Sequence, residues 1–394
     1  MRALEGIRVL DFTVFQQGPQ ATQMLADLGA EIIKVEPPFL GDLGRLLAVD
    51  GEDRLSAYFL AHDRGKKSIT LNIKTDEARE IIRKLVPQVD VFVHNYRPGK
   101  LERLGLGYED VRALNPRIIY AHASGWGTQG PKASHPAFDI AAQARSGFMS
   151  ITGEPGGYPL PGGVAVADYV GAANLCIAIL TALLVRERTG VGQKVETSLL
   201  GSAIAMQAWE LQNYIITRRP PRSGRGHAYL PTIWRVFKTK DGYAVVGGVG
   251  EDRWPAFCEA VGMPELREDP RFGNALERLV HLQELYELLD DRFLSRTTAE
   301  WIDILEAHDM ICAPCATYED VINDGQALEN GYVLEVDHPT RGRLKVIANP
   351  WKFSETPAEV ASAYPELGQH TEEVLLGLGY SWDDIVSLRD RGAI

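Results

Sequence analysis

Short apolar runs alternate with helical periodicity along the first 125 residues. "IRVLDFT" (7–13), "EIIKVE" (31–36), "KSITLNI" (67–73), "VDVFVHN" (89–95) and "RIIYAHASG" (117–125) are strand-like. Between them, "QATQMLADLG", "TDEAREIIRKLVPQ" and "YEDVRALNP" place apolar side chains at helical spacing, with Gly29 ending the first helix and Thr75 capping the second. Buried strands separated by helices predict a parallel α/β sheet, whose ligands sit at the carboxyl ends of the strands. Those ends read "TVFQQGP", "KVEPP", "LNIK" and "HNYRPG".

Residues 126–165 are rich in Gly, Pro and small side chains around an embedded helix, "DIAAQARSGFMS", a composition that predicts a binding wall. A long helix from Asp168 to about Arg188 follows, then a strand and a helix in "KVETSLLGSAIAMQAWELQNYI". The basic, Pro/Gly-rich "TRRPPRSGRGHAYLP" marks a boundary. It divides a large domain over 1–200 and a linker over 201–228 from a small α+β domain over 229–325. That small domain opens with a hairpin, "WRVFKTKDGYAVVGG", turned at Asp241-Gly242. Residues 326–394 are β-rich at first and end in two short helices.

Composition narrows the function. A formal charge of −12 over 394 residues argues against general affinity for nucleic acid or an anionic membrane. The most apolar stretch, 170–185, contains Asn174 and is shorter than a spanning helix needs, and no signal-peptide pattern opens the chain. With four cysteines, too few for a disulfide scaffold, the expectation is a cytoplasmic enzyme. "CAPC", Cys312 to Cys315, has redox-motif spacing but lies in a strand-like segment, so ordinary buried thiols are expected. No second Cys or His pair stands at zinc-ligand spacing, and neither GxGxxG nor GxxxxGK[ST] occurs.

One carboxylate remains to be explained. In "GGVAVADYVGAANLCIAILTALL" (162–184) Asp168 is the lone charge. Asp favours helix N-caps; a carboxylate can also attack a thioester and form a mixed anhydride, given donors that stabilise the developing charge. For that second role Gly162, Gly163 and Gly171 would let a substrate approach the backbone closely.

The chain resembles the class III coenzyme A transferases, the superfamily of formyl-CoA transferase, carnitine CoA-transferase and α-methylacyl-CoA racemase. The resemblance runs from "LEGIRVLDFT", "GPQATQMLADLGAEIIKVEPP" and "RGKKSITLNIKTDEA" through "VDVFVHNYRPGKLERLGLGYEDVRALNPRIIYAHASGWGTQGP" and "PAFDIAAQARSGFMSITGEP". It continues in "VAVADYVGAANLCIAIL", "RTGVGQKVETSL" and "LGQHTEEVLLGLGYSWDDIVSLRDRGAI". It implies a large Rossmann-like domain built from both termini, a small middle domain, and an interlocked homodimer of ring-like chains. It also implies an aspartate nucleophile, which falls on Asp168, although Gly171 misses the family's D-x-x-x-G spacing by one. Acyl-CoA and a small carboxylic acid are the implied substrates, with coenzyme A as a substrate moiety and no tightly bound cofactor. The implied route passes through aspartyl anhydrides and an aspartyl-CoA thioester.

The family's CoA contacts map onto Gln16, Gln17, Leu71, Asn72, Lys74, Asn95, Tyr96 and Arg103. Some relatives carry a basic residue after the glutamate of "KVE", where this chain has Pro37, leaving Arg45 or Arg97 to supply the phosphate charge. Racemases of the superfamily place a histidine before the aspartate of a "GHD"-like segment. Here Phe138 stands there, which favours transfer over racemisation, with His135 the remaining base nearby. For the acceptor acid the expected pocket residues are Arg145, His227 and Arg235, together with Tyr229 and Trp234, and Ala165, Ala167 and Ala172 leave room beside Asp168. A partner's "GGVGED" segment is a candidate for closing the site.

Overall fold

All five apolar runs become strands of one sheet in the computed structural model, which describes every residue except Asp53, Arg222 and Pro231. The chain begins β1 (Arg8–Phe12), α1 (Gln17–Asp27), β2 (Glu31–Glu36), and a small hairpin of β3 (Val49–Asp50) and β4 (Leu55–Ser56). Then come α2 (Ala57–Asp63), β5 (Lys67–Thr70), α3 (Asp76–Leu85), β6 (Val91–His94), α4 (Tyr108–Leu114) and β7 (Ile119–Ser124). After the Gly/Pro-rich stretch containing α5 (Asp139–Arg145) follow α6 (Val166–Thr189), β8 (Gln193–Ser198) and α7 (Leu199–Met206).

The sheet order is β5-β2-β1-β6-β7-β8, and every neighbouring pair is parallel. Alternate side chains feed two cores, because successive residues of a strand face opposite sides. Leu10, Phe12, Ile33, Phe92 and Tyr120 join α3 and the C-terminal helices on one face. Val9, Ile32, Val91, Ile119 and Ala121 meet α1 and α6 on the other. Although α6 is long and apolar enough to cross a membrane, Ala172, Leu175, Ile179 and Leu183 place it in this second core.

Two compact units emerge: Met1–Ser146 with Gly162–Met206 and Asp324–Ile394, and Gly147–Pro161 with Gln207–Asn323. The stretch expected as a linker, 201–228, is largely helical, running through α7 and α8 (Ala208–Thr217); Arg222 within it, and Pro231 in the expected small domain, lie outside the described residues. The second unit continues with β9 (Ile233–Lys238), β10 (Tyr243–Val249), α9 (Trp254–Ala260), α10 (Ala275–Val280), α11 (Leu282–Phe293), α12 (Thr298–Ala307), β11 (Ile311–Pro314) and α13 (Tyr318–Asn323). β9 and β10 form the expected hairpin, closed by the Thr239 N–H donating to the Gly242 carbonyl. Cys312 lies in β11 and Cys315 just beyond it, half-buried and exposed rather than buried. Residues three apart along extended chain span about 10 Å, too far for a disulfide, so this CxxC is not a redox pair.

The chain then re-enters the first unit through α14 (Gly325–Glu329), β12 (Val333–His338), β13 (Gly342–Ile347), α15 (Thr371–Gly377) and α16 (Trp382–Asp390). The free side of the edge strand β5 is covered there. His370 N–H donates to the Ser68 carbonyl at 2.9 Å and Thr70 N–H to Thr371 Oγ1 at 2.9 Å.

Candidate active site

Strand order reverses around β1, flanked by β2 on one side and β6 on the other. A crevice at the carboxyl ends of β1 and β6 follows from that topology, and two adjoining cavities of about 510 and 450 Å³ lie there, sharing Tyr96, Lys100 and Arg103. The first holds Gln16, Gln17, Asn95, Phe138 and Asp168; the second holds Leu71, Asn72, Lys74 and Pro37.

Asp168 is the third residue of α6, not its cap. Ala165, at the cap position, offers no side-chain oxygen, and Asp139 of α5 performs that role from outside the helix. Its Oδ1 accepts from the backbone N–H of Ala167 at 2.6 Å and of Asp168 at 3.1 Å. Gln143, one turn along α5, donates to Asp139 and accepts from the Gly162 N–H at 2.9 Å, tying down the loop that enters α6. Asp168 is therefore released from capping. Burial first, and the Asp139 carboxylate second, push its pKa up to about 7, opposed by a hydrogen bond from the Gln17 backbone.

Gln17 begins α1, whose first turn carries no acidic side chain. The positive end of that helix faces the carboxylate. The Gln17 amide Nε2 is buried and has no partner among the described residues, a donor available for a substrate oxygen. Gly171 makes room for it: a Cβ there would lie 2.8 Å from Gln17 Nε2. Gly171 thus leaves space for the side chain of Gln17.

The turn between β1 and α1 is braced from below. Phe15 adopts φ +63°, a left-handed conformation costly for a non-glycine residue. Asp42 Oδ1 accepts its N–H at 3.2 Å, while Asn95 accepts from the Val14 N–H at 2.9 Å and donates to the Val14 carbonyl at 2.8 Å. Asn95 is thus committed to a backbone clamp. Beneath the turn, Lys34 Nζ meets Asp42 at 2.9 Å, Asp63 at 3.1 Å and the Thr13 carbonyl at 2.9 Å. Lys66 Nζ meets Asp63 at 2.7 Å, Asp11 at 3.3 Å and the Pro19 carbonyl at 3.0 Å. These five side chains are 0–1 % exposed. Burial would raise Asp11, yet Lys66 and Lys34, with the Thr13 and Thr22 hydroxyls, hold it below the usual carboxylate range.

The cleft carries four cations: Lys74 lines the second cavity, Arg97 the first, and Lys100 and Arg103 both, and none of the four pairs with a carboxylate among the described residues. Burial and then the charges of Lys74, Arg103 and Arg97 pull the Lys100 pKa down, and its Nζ lies 3.6 Å from the Tyr96 ring centroid. Lys100 was not among the residues read from the sequence; its place after the turn "RPG" is the only signal there. Arg45 is already engaged, by Glu36 at 2.6 Å and the Pro365 carbonyl at 2.9 Å, so of the two residues expected to replace the charge missing at Pro37 only Arg97 has no carboxylate partner among the described residues. Leu71 contributes an apolar wall, being 2 % exposed. Asn72 donates its side-chain N–H to the Gly392 carbonyl at 3.2 Å, holding the C-terminal residues against the cavity.

None of the acceptor residues expected from the sequence is among the residues lining these two cavities. Arg145 is exposed, with its guanidinium 5.9 Å from the Trp126 ring. His227 and Arg235 belong to the second unit, where His227 bonds Glu210 at 3.0 Å and stacks on Trp209. Phe138 and His135 both line the Asp168 cavity.

Comparison with known proteins identifies the family. The model of CoA-transferase family III matches residues 4–371. A mouse (Mus musculus) succinyl-CoA:glutarate CoA-transferase is 39% identical over 376 residues, covering 95% of this chain and 86% of the relative. A formyl-CoA:oxalate CoA-transferase from Streptomyces coelicolor is 36% identical over 415 residues, covering 100% and 99%. Among solved structures, a CAIB/BAIF family protein from Brucella suis superposes with a TM-score of 0.86 at 32% identity, covering 96% of this chain and 100% of that one. Rv3272 from M. tuberculosis gives a TM-score of 0.85 at 33% identity, covering 95% and 99%. With an α/β fold, a matching family model over nearly its whole length and relatives of this identity, the chain belongs to CoA-transferase family III.

Proposed function

We propose that this protein transfers coenzyme A from an acyl-CoA to a small carboxylic acid, with Asp168 as nucleophile. The observation that carries the reading is one cleft holding both a half-buried carboxylate with no cationic partner and a group of unneutralised cations. Lys74, Arg97, Lys100 and Arg103 suit the phosphates of CoA, and Leu71, Pro37 and Tyr96 suit its adenosine. The thioester then extends toward Asp168 and the start of α1.

Ionised Asp168 attacks the thioester carbonyl, forming an acyl–aspartyl anhydride and releasing the CoA thiolate. The thiolate attacks the aspartyl carbonyl, giving aspartyl-CoA and freeing the donor acid. The acceptor carboxylate displaces CoA again as a second anhydride, and the thiolate attacks its acceptor carbonyl, restoring Asp168. Each tetrahedral intermediate places negative charge on an oxygen, which the Gln17 N–H and its unpartnered amide are positioned to stabilise. Coenzyme A enters and leaves as a substrate moiety and no tightly bound cofactor is invoked.

Exposed apolar side chains on α6 and α8, among them Ile177, Leu184, Trp209 and Ile216, support the homodimer implied by the resemblance. His135 in the same cavity supports a second reading, α-proton exchange on an acyl-CoA. Peptide mass spectrometry after mixing with succinyl-CoA and formyl-CoA, with Asp168→Ala as control, tests the two together in D₂O. An adduct on the Asp168 peptide that the variant lacks supports transfer. Deuterium at the α-carbon without an adduct overturns transfer in favour of exchange.

A further inference from the structure

Within the second unit, an arginine occupies the buried face of a strand. Ile233, Arg235 and Phe237 alternate inward along β9, and the Arg235 side chain is 6 % exposed. Its guanidinium stacks 4.1 Å from the Tyr286 ring centroid and 5.1 Å from that of Phe237. Its partner is Asp290, one helical turn beyond Tyr286 on α11, at 3.3 Å. Arg225 takes the same carboxylate more closely, at 2.9 Å, brought alongside by the Gly226–Arg235 bridge. One aspartate thus serves two guanidinium groups. Arg235 Nε is buried and has no partner among the described residues. Burial, with the Arg225 charge behind it and Asp290 opposing, pulls the Arg235 pKa below its usual range.

An under-neutralised buried guanidinium is unfavourable unless an anion completes it. Here the space for one exists: Arg225, Arg235, Trp234 and Tyr286 line a cavity of about 740 Å³. Asp290 is not among its lining residues; the carboxylate that is, Glu154, is exposed and is the last of the charges acting on Arg235, after Asp290. A planar guanidinium held on an aromatic face presents its donors in the fork that matches a carboxylate.

We propose that this cavity is a recognition site for the carboxylate of a small organic acid, taken by Arg235 and Arg225 in competition with Asp290. The site stands on the geometry of the second unit and does not depend on the Asp168 chemistry.

The test is calorimetric titration of the full chain, without CoA, using glutarate, with dimethyl glutarate, sulfate and chloride as comparisons. Glutarate is expected to bind and its uncharged ester not to bind. Arg235→Met is expected to weaken glutarate at least tenfold, Arg235→Lys to recover part of the loss, and Asp290→Asn to tighten binding several-fold by removing the internal competitor. A purely structural role for Asp290 predicts the opposite sign for that last variant. Absence of glutarate binding, equal binding in Arg235→Met, equal affinity for chloride or sulfate, or weakening by Asp290→Asn would each overturn the proposal. If Arg235→Met does not fold, Arg225→Met and Asp290→Asn decide it through their opposite signs. CoA transfer is assayed separately, so a negative titration leaves that reading untouched.

Discussion

Two groups of charges follow one another along the first 103 residues and behave oppositely. Lys34 and Lys66 are enclosed by Asp11, Asp42 and Asp63, every side chain out of contact with water. Lys74, Arg97, Lys100 and Arg103 face the cleft with no acidic partner among the described residues and depress one another's charge at Lys100. A buried network that closes on itself holds backbone; cations left open to a cavity hold a ligand. The first fixes the turn carrying Gln17, and the second supplies the charge for a polyanion.

The contrast breaks most sharply on mutation. Lys34→Met leaves Asp42 and Asp63 short of a partner and is expected to cost about 3–5 kcal/mol in denaturant unfolding. Lys100→Met is expected to change stability by no more than about 0.5 kcal/mol. Equal losses in the two variants would erase the distinction.

Asp168 lies between these extremes as a half-buried carboxylate without a cation. Its pKa of about 7 lies above the ordinary carboxylate range, so the fold favours the neutral acid. That contribution to stability is complete below the ordinary range and is lost as pH rises through about 7. Asp168→Asn is therefore expected to abolish transfer and raise stability at pH 8 by up to about 4 kcal/mol, with little gain at pH 4. Paired unfolding curves at the two pH values read this directly.

For the open cations, Lys100→Met and Arg103→Met are each expected to raise the KM for acyl-CoA roughly tenfold with kcat retained. The penalty should shrink as added salt screens the wild-type attraction. A fall in kcat at constant KM would move these residues from binding to chemistry. The smallest change expected is in Asp139→Asn. The amide oxygen still accepts the Ala167 and Asp168 N–H groups, but the neighbouring negative charge is gone. The acid limb of the kcat/KM profile should move to lower pH, and an unmoved limb would leave burial as the sole cause of the raised pKa.

Local signals carried much of the architecture. The strand runs, the Thr75 cap and the Asp241-Gly242 hairpin depend on neighbours in sequence, and the structure has all of them. Asp168 stood out because a lone charge in an apolar run is unusual. What escaped depends on distant pairing. Asp139 caps α6 across 28 residues; Asn95 reaches back 81 residues to Val14, and Glu36 occupies Arg45 before any phosphate can. Asn72 and Asn95 were expected as ligand contacts, and their side-chain bonds to Gly392 and Val14 are visible only in three dimensions. Arg235 was singled out, but its burial on the inner face of β9 needed the pairing with β10 to become visible.

The covering of β5 by residues 368–371 has a consequence for synthesis. The first unit draws on three separate stretches of chain, the last beginning at Asp324. During translation the growing polypeptide therefore carries an uncovered strand edge until its final segment has left the ribosome. Such an edge invites pairing with another nascent chain. The second unit, apart from Gly147–Pro161, comes from the continuous span Gln207–Asn323 and can condense while the first is still waiting. Yield in the cell should consequently respond to chaperone supply and elongation rate more than the stability of the finished fold would suggest.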